Sequence, residues 1–264
     1  MIIMINLLSS ELYKLKKSKS FRIAAILTVL FAWFAEAADI IMRRAYPQGI
    51  AASSTSYAYT LNIVRQLFAN TNAIIYVTIF ICIFVLGDYT SGAIKNYVGK
   101  GYRREEVYLA KFLVTEFGAV MLYLLTAAAA FAGGIVCYGT EQMDGAFYLD
   151  FISYLSMHIL YLTGYTAIIV LVCGMARNMA AGIIVSMLGI MLMSNVLVQA
   201  ADMVMHYLGA DFMVSQYWVT TVMASCPVTE IPAQFITSSG VTTAVWLIAA
   251  MVGGMLWFSR RDVS

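Results

Sequence analysis

Phe151 to Ala201 reads FISYLSMHILYLTGYTAIIVLVCGMARNMAAGIIVSMLGIMLMSNVLVQAA, and in this stretch Arg177 is the only residue with a full charge. Apolar residues crowd every face of a helix drawn through it, so no polar stripe is left for water. About 20 such residues, rising about 1.5 Å each, cross a hydrocarbon core of about 30 Å. The stretch is therefore expected to hold two membrane helices, Phe151 to Ala176 and Asn178 to Ala201. Gly174-Met-Ala-Arg-Asn178 supplies turn residues for a tight hairpin between them. Burying Arg177 at bilayer depth without a partner would cost at least about 3 kcal/mol, so the turn belongs at a membrane face.

Four further uncharged runs extend the pattern outward: Ile23 to Ala35, Gln66 to Gly87, Phe117 to Thr140 and Ile231 to Ser259. The first is long enough only if it continues through Glu36 and Asp39 to about Ile41, which puts both carboxylates near one membrane face. The composition agrees: of 264 residues, 62% are hydrophobic and only 11% charged, which excludes a soluble globular domain. A transmembrane barrel would need short strands alternating apolar and polar residues, and none is seen. The sequence thus predicts an all-α integral membrane protein with six transmembrane helices, as one domain over residues 1–264. The net charge of +2 gives no reason to invoke nucleic acid. Cys82, Cys137, Cys173 and Cys226 lack metal or disulfide spacing and read as small packing residues.

Lysine and arginine set the orientation. With the N-terminus inside, the inner segments collect thirteen basic residues, among them Lys14, Lys16, Lys17, Lys95, Lys100, Arg103, Arg104, Lys111, Arg177 and Arg260, while only Arg43, Arg44 and Arg65 fall outside. Both termini are expected in the cytoplasm, as an even number of crossings requires. Ala35-Glu36-Ala37 resembles a signal cleavage site, but the preceding basic region is long, and an uncleaved first helix is expected.

Three segments carry more than topology. Asn6 to Ser20 (NLLSSELYKLKKSKS) places Leu8, Leu12 and Leu15 on one helical stripe with the lysines largely elsewhere, as an amphipathic interfacial helix over residues 1–20 does. The long segment 199–240, with Met203, Tyr207, Phe212, Tyr217 and Trp218, is too apolar for an open loop and predicts short helices at the outer leaflet, Tyr217 and Trp218 serving as interfacial anchors. Gly87 to Lys111 (GDYTSGAIKNYVGKGYRREEVYLAK) is a cytoplasmic connection dense in glycine and in charges of both signs, a surface suited to docking a second protein.

That connection resembles the loop after the second helix in ABC-2 type transporter permeases, at Asp88, Tyr89, Gly92, Ile94, Lys95, Asn96, Gly101, Arg103, Tyr108 and Lys111. Ser10-Glu11-Leu12-Tyr13-Lys14-Leu15-Lys16 is similar to the family's elbow helix, and Phe258-Ser259-Arg260-Arg261-Asp262-Val263 to its usual close. The loop departs from the family at Ala93, where Thr is usual, and at Tyr102, where Ser is frequent. The resemblance implies half of a transport domain in the bacterial cytoplasmic membrane, pairing with a second, identical or related permease and docking two ATP-binding subunits. Residues 88–111 would couple ATPase closure to the bundle, with Arg104 beside Arg103 in the docking surface and Glu11, Leu12, Lys14 and Leu15 in the elbow beside them. ATP and Mg would sit in the partner. This chain has no G-x-x-x-x-G-K-[ST]: after Gly87 and Gly92 come Ala93 and Ile94. No catalytic residue, cofactor or metal ligand is expected here.

The short permeases with this kind of N-terminus look like those of bacteriocin and lantibiotic export and immunity, which implies an antimicrobial or other amphipathic peptide as cargo, with drug or lipid efflux as the alternative. An ion-coupled secondary transporter would need ionisable groups near the midplane. Glu116 and His158 are the candidates. Glu116 is expected to pair with Lys111 and His158 to pack beside Tyr154 and Tyr161. An intramembrane protease is excluded because Glu105-Glu106, His158 and His206 lack ligand spacing.

Overall fold

In a membrane core every backbone N–H and C=O must find its partner within the chain, and long apolar runs meet that demand as helices. The computed structural model describes residues 2–45, 64, 67–68, 72–139, 145–176, 178–188, 194–209, 212–227 and 231–260, and every regular element among them is helical. In chain order they are α1 (Ile2–Lys17), α2 (Lys19–Ala45), α3 (Asn72–Thr90), α4 (Ala93–Gly99), α5 (Arg104–Tyr138), α6 (Gly145–Met175), α7 (Met179–Ile184), α8 (Ser194–Tyr207), a 3-10 turn (Val214–Tyr217), α9 (Val219–Ser225) and α10 (Ala233–Arg260).

Five helices are long and apolar enough to cross a membrane: Lys19–Met42, Ala73–Thr90, Arg104–Cys137, Gly145–Met175 and Ala233–Ser259. The protein is a multi-pass integral membrane protein. The span expected from Asn178 to Ala201 is only partly described. Its start is α7, which Asn178 caps by accepting from the Ala181 N–H at 2.7 Å, and its end lies in α8, while residues 189–193 are outside the described set. α5 corrects a boundary, because its helix begins at Arg104 rather than near Phe117 and takes in the charged half of the connection.

α3 and α6 form the centre, with α5 packed on both and on α2; α10 lies along α6 and α5. Tyr123, Tyr154, Tyr161, Tyr165, Phe68 and Phe80 fill this core, and Tyr165 shares a 2.7 Å hydrogen bond with the Thr78 hydroxyl. His158 is a packing residue, its Nδ1 donating to the Tyr154 carbonyl at 3.1 Å and its ring 4.2 Å from that of Tyr154. Glu116 does not meet Lys111 as expected. It turns to Thr163 and Thr166 of α6. Cys82 and Cys173 are buried free thiols, Cys226 is buried as well, and Cys137 is exposed. In the segment before α10, Val219, Val222 and Met223 are buried and α9 packs against α6. Trp218 meets Trp246 edge-on at 5.0 Å, and Trp246 Nε1 donates to the Tyr217 carbonyl at 2.7 Å.

Candidate functional site: a buried ion square

Leu7, Glu11 and Leu15 are four residues apart and so share one face of α1, which packs on α5. All three are buried, with Leu7 at 1% and Leu15 at 4% exposure. This corrects the expected stripe: Leu12 is exposed and turns away from the bundle, while Lys14 turns toward it. A carboxylate on a buried helix face needs a counter-charge, and two are present.

Lys111, two turns into α5, donates to Glu11 Oε2 at 2.5 Å and also to Asp88 Oδ2. Lys14 donates to Asp88 Oδ1 and stands 3.9 Å from Glu11 Oε1. Two cations and two anions thus close a square whose corners come from α1, the last turn of α3 and the second turn of α5. Asp88 and Glu11 side chains are 2% exposed and that of Lys111 is 7%, whereas Lys14 keeps 35%. The Phe84 ring lies under it, with Lys111 Nζ 4.6 Å and Lys14 Nζ 5.9 Å from the centroid. Burial pushes the Glu11 carboxyl up and the Lys14 ammonium down, and their mutual attraction draws each back toward its charged form. The square is neutral overall, so its four charges compensate one another where water cannot.

α4 is tied to the same place. Gly92 (φ 71°) and Gly101 (φ 86°) take the left-handed conformation at its two ends, which lets a seven-residue helix turn sharply out of α3 and back into α5. Tyr97 of α4 shares a 3.4 Å hydrogen bond with Ser10, and its hydroxyl lies near enough to Glu11 to favour the charged carboxylate. Burial pushes the Tyr97 hydroxyl up. Ile94 is buried in a narrow cleft with Val107, Tyr108, Val170 and Phe258. Asn96 and Gly101 are exposed. Of Lys95 only the backbone, within α4, is described.

The arginine pair divides. Arg103 is exposed, 3.7 Å from Glu105, which is also exposed. Arg104 Nη1 donates to the Ser259 carbonyl at 3.1 Å, holding the C-terminal turn of α10. Tyr89 and Tyr108 each place a ring 6.2 Å from that of Phe258, so the end of α10 is clamped against α3 and α5. The clamp depends on a small residue, because a Cβ at Gly254 would overlap the Tyr108 hydroxyl.

With this geometry in place, comparison with known proteins is informative. A family model described as ABC-2 family transporter protein matches residues 7–193, from the start of the buried face of α1 into the segment after α7. The chain belongs to the ABC-2 transporter family. An ABC-2 permease is a membrane subunit whose transporter implies an ATP-binding partner. No curated protein matches this permease in a direct sequence comparison. Among the described residues no group of His, Cys, Asp or Glu stands close enough to hold a metal ion. The square joins Glu11, Lys14 and Asp88, which the sequence placed in separate motifs. Its fourth corner, Lys111, matched a family position but was expected to pair with Glu116 rather than with Glu11 and Asp88. The signal for it was there, as a lysine followed by an apolar span with no acidic partner on its own helix face.

Proposed function

We propose that this chain is the permease subunit of an ATP-driven ABC exporter, with both termini cytoplasmic, working with a second identical or related permease and two ATP-binding subunits that carry ATP and Mg. The ion square is the observation that carries this reading. A motor outside the membrane needs a stiff contact that moves with the helices, and the square makes α1, the end of α3, α4 and the start of α5 one unit. In this unit Asp88, Tyr89, Gly92 and Ile94 fix α4 to the bundle, while Asn96, Gly101 and Arg103 form the outer surface that meets the partner, and Lys95 is assigned to the partner contact by the family resemblance alone. Glu11, Lys14 and Leu15 hold the elbow helix to the bundle, and Leu12 faces the lipid. Arg104 acts from behind by securing α10. The cargo we propose is an antimicrobial or other amphipathic peptide, moved out of the membrane or the cell.

The test is purification of the tagged chain in mild detergent after expression with its neighbouring genes. Stoichiometric recovery of a subunit with a Walker A motif is the expected result, and Arg103→Glu should reduce that recovery without affecting insertion. A chain recovered alone, in a genome with no ATPase gene beside it, would overturn the ATP-driven reading. It would turn attention to Glu116 and His158 as groups for ion coupling.

A further inference from the structure

At the opposite end of α5, 22 residues and about 33 Å from Lys111, lies a second unusual carboxylate. Glu36 sits near the end of the α2 span, in a recess of about 340 Å³ between α2 and α5 lined by Trp33, Ile40, Gly133, Val136 and Cys137 among others. Its side chain is pressed so closely on α5 that a Cβ at Gly133 would coincide with the carboxylate. Glu36 is only 3% exposed, yet its Oε1 has no hydrogen-bond partner among the described residues. The recess itself is open and apolar, with Val136 85% and Trp33 53% exposed to the bundle margin.

These features differ from those of the ion square. There a buried carboxylate is answered by two lysines of the chain. Here a buried carboxylate is backed by a glycine, flanked by an indole and left facing an apolar opening. An unpaired carboxylate in such surroundings is stabilised by any cation brought to it, and an aromatic wall adds affinity for an ammonium group. The apolar walls favour a head attached to hydrocarbon over a free metal ion or a small hydrophilic amine. We propose that this recess binds the cationic head of an amphiphile entering from the lipid, with Glu36 as the counter-charge and Trp33 and Val136 against its apolar part. As a binding site this stands by itself; only the further step, that the occupant is cargo, rests on the transport reading above.

Cys137 makes the test direct, because it lines the recess and is the one exposed cysteine of the four. The full chain in zwitterionic lipid nanodiscs is treated with N-ethylmaleimide, and intact mass follows the first addition. Dodecyltrimethylammonium at a few mole per cent should slow labelling at least fivefold. The neutral tetraethylene glycol ether of dodecanol should slow it less than twofold. Glu36→Gln should abolish the cation's effect, and Glu36→Asp should keep part of it. Cys82, Cys173 and Cys226 report folding, since they stay unreactive only in an intact bundle. If Glu36→Gln exposes them, Glu36→Asp and the neutral ether decide.

Slowing that survives Glu36→Gln, slowing matched by the neutral ether, or no slowing in the native chain overturns the proposal. The measurement contains no ATP-binding subunit, so a negative result leaves the transport reading to the co-purification.

Discussion

Replacing Asp88 with Asn keeps the shape of the ion square and removes one charge from its centre, leaving two ammonium groups to share Glu11. Uncompensating a buried charge by deleting its partner costs about 3–5 kcal/mol. Two structural facts reduce that figure for Asp88→Asn. Lys111 keeps its 2.5 Å contact with Glu11, and Lys14, 35% exposed, can turn to water, where a lost pair is worth about 1 kcal/mol or less. The expected loss is therefore about 2–4 kcal/mol. Lys111→Met should cost a similar amount because it leaves two buried carboxylates to share the half-exposed Lys14, whereas Lys14→Met should cost only about 1 kcal/mol. The double variant Asp88→Asn, Lys111→Met removes one charge of each sign, leaves Glu11 with Lys14, and should fall short of the sum of the singles by about 2 kcal/mol. Reversible unfolding in mixed micelles of neutral and anionic detergent, followed by tryptophan fluorescence, supplies the four free energies. Single variants within about 0.5 kcal/mol of the parent, or a double variant equal to the sum, would show that the square is not a coupled unit.

The two arginines should separate by assay. Arg104→Ala frees the last turn of α10 and should raise amide exchange around Phe258 and Ser259 with little effect on partner recovery, whereas Arg103→Glu should do the reverse; identical behaviour would contradict the geometry. Gly254→Ala should cost about 1–3 kcal/mol by forcing Tyr108 aside, measured in the same unfolding assay, and an unchanged midpoint would mean that α10 does not approach α5 this closely. For topology, in a Cys137→Ser background, a cysteine at Gly145 should react with an impermeant thiol reagent added outside intact cells and one at Lys100 should not. The opposite labelling would invert the orientation.

The membrane helices were legible because an apolar run longer than a bilayer is thick admits little else. Their charged ends were not. Arg104 to Glu116 continues α5 as helix although its charges interrupt the apolar run, since a span longer than the hydrocarbon core can carry polar turns beyond it. The expected pairing of Glu116 with Lys111 fails on helical geometry alone: residues three or four apart meet, and five apart diverge. Glu11 and Lys14 were read as part of an interfacial helix and Asp88 as part of a loop. Nothing in a linear pattern says that positions 74 residues apart share a proton-donor contact. The connection was read as dense in glycine, and two of those glycines, Gly92 and Gly101, take the left-handed backbone; the close approaches at Gly133 and Gly254 are properties of packing and had no local signature.

α5 runs unbroken for 35 residues, about 52 Å, without a proline. It carries Lys111 near one end and Gly133 near the other, which makes it a lever with its handle in the ion square. A tilt of about 5° pivoting at Lys111 displaces Gly133 by about 3 Å. The Glu36 carboxylate is packed directly on Gly133, so a small rocking at the charged end is enough to widen or close a recess at the other end of the helix.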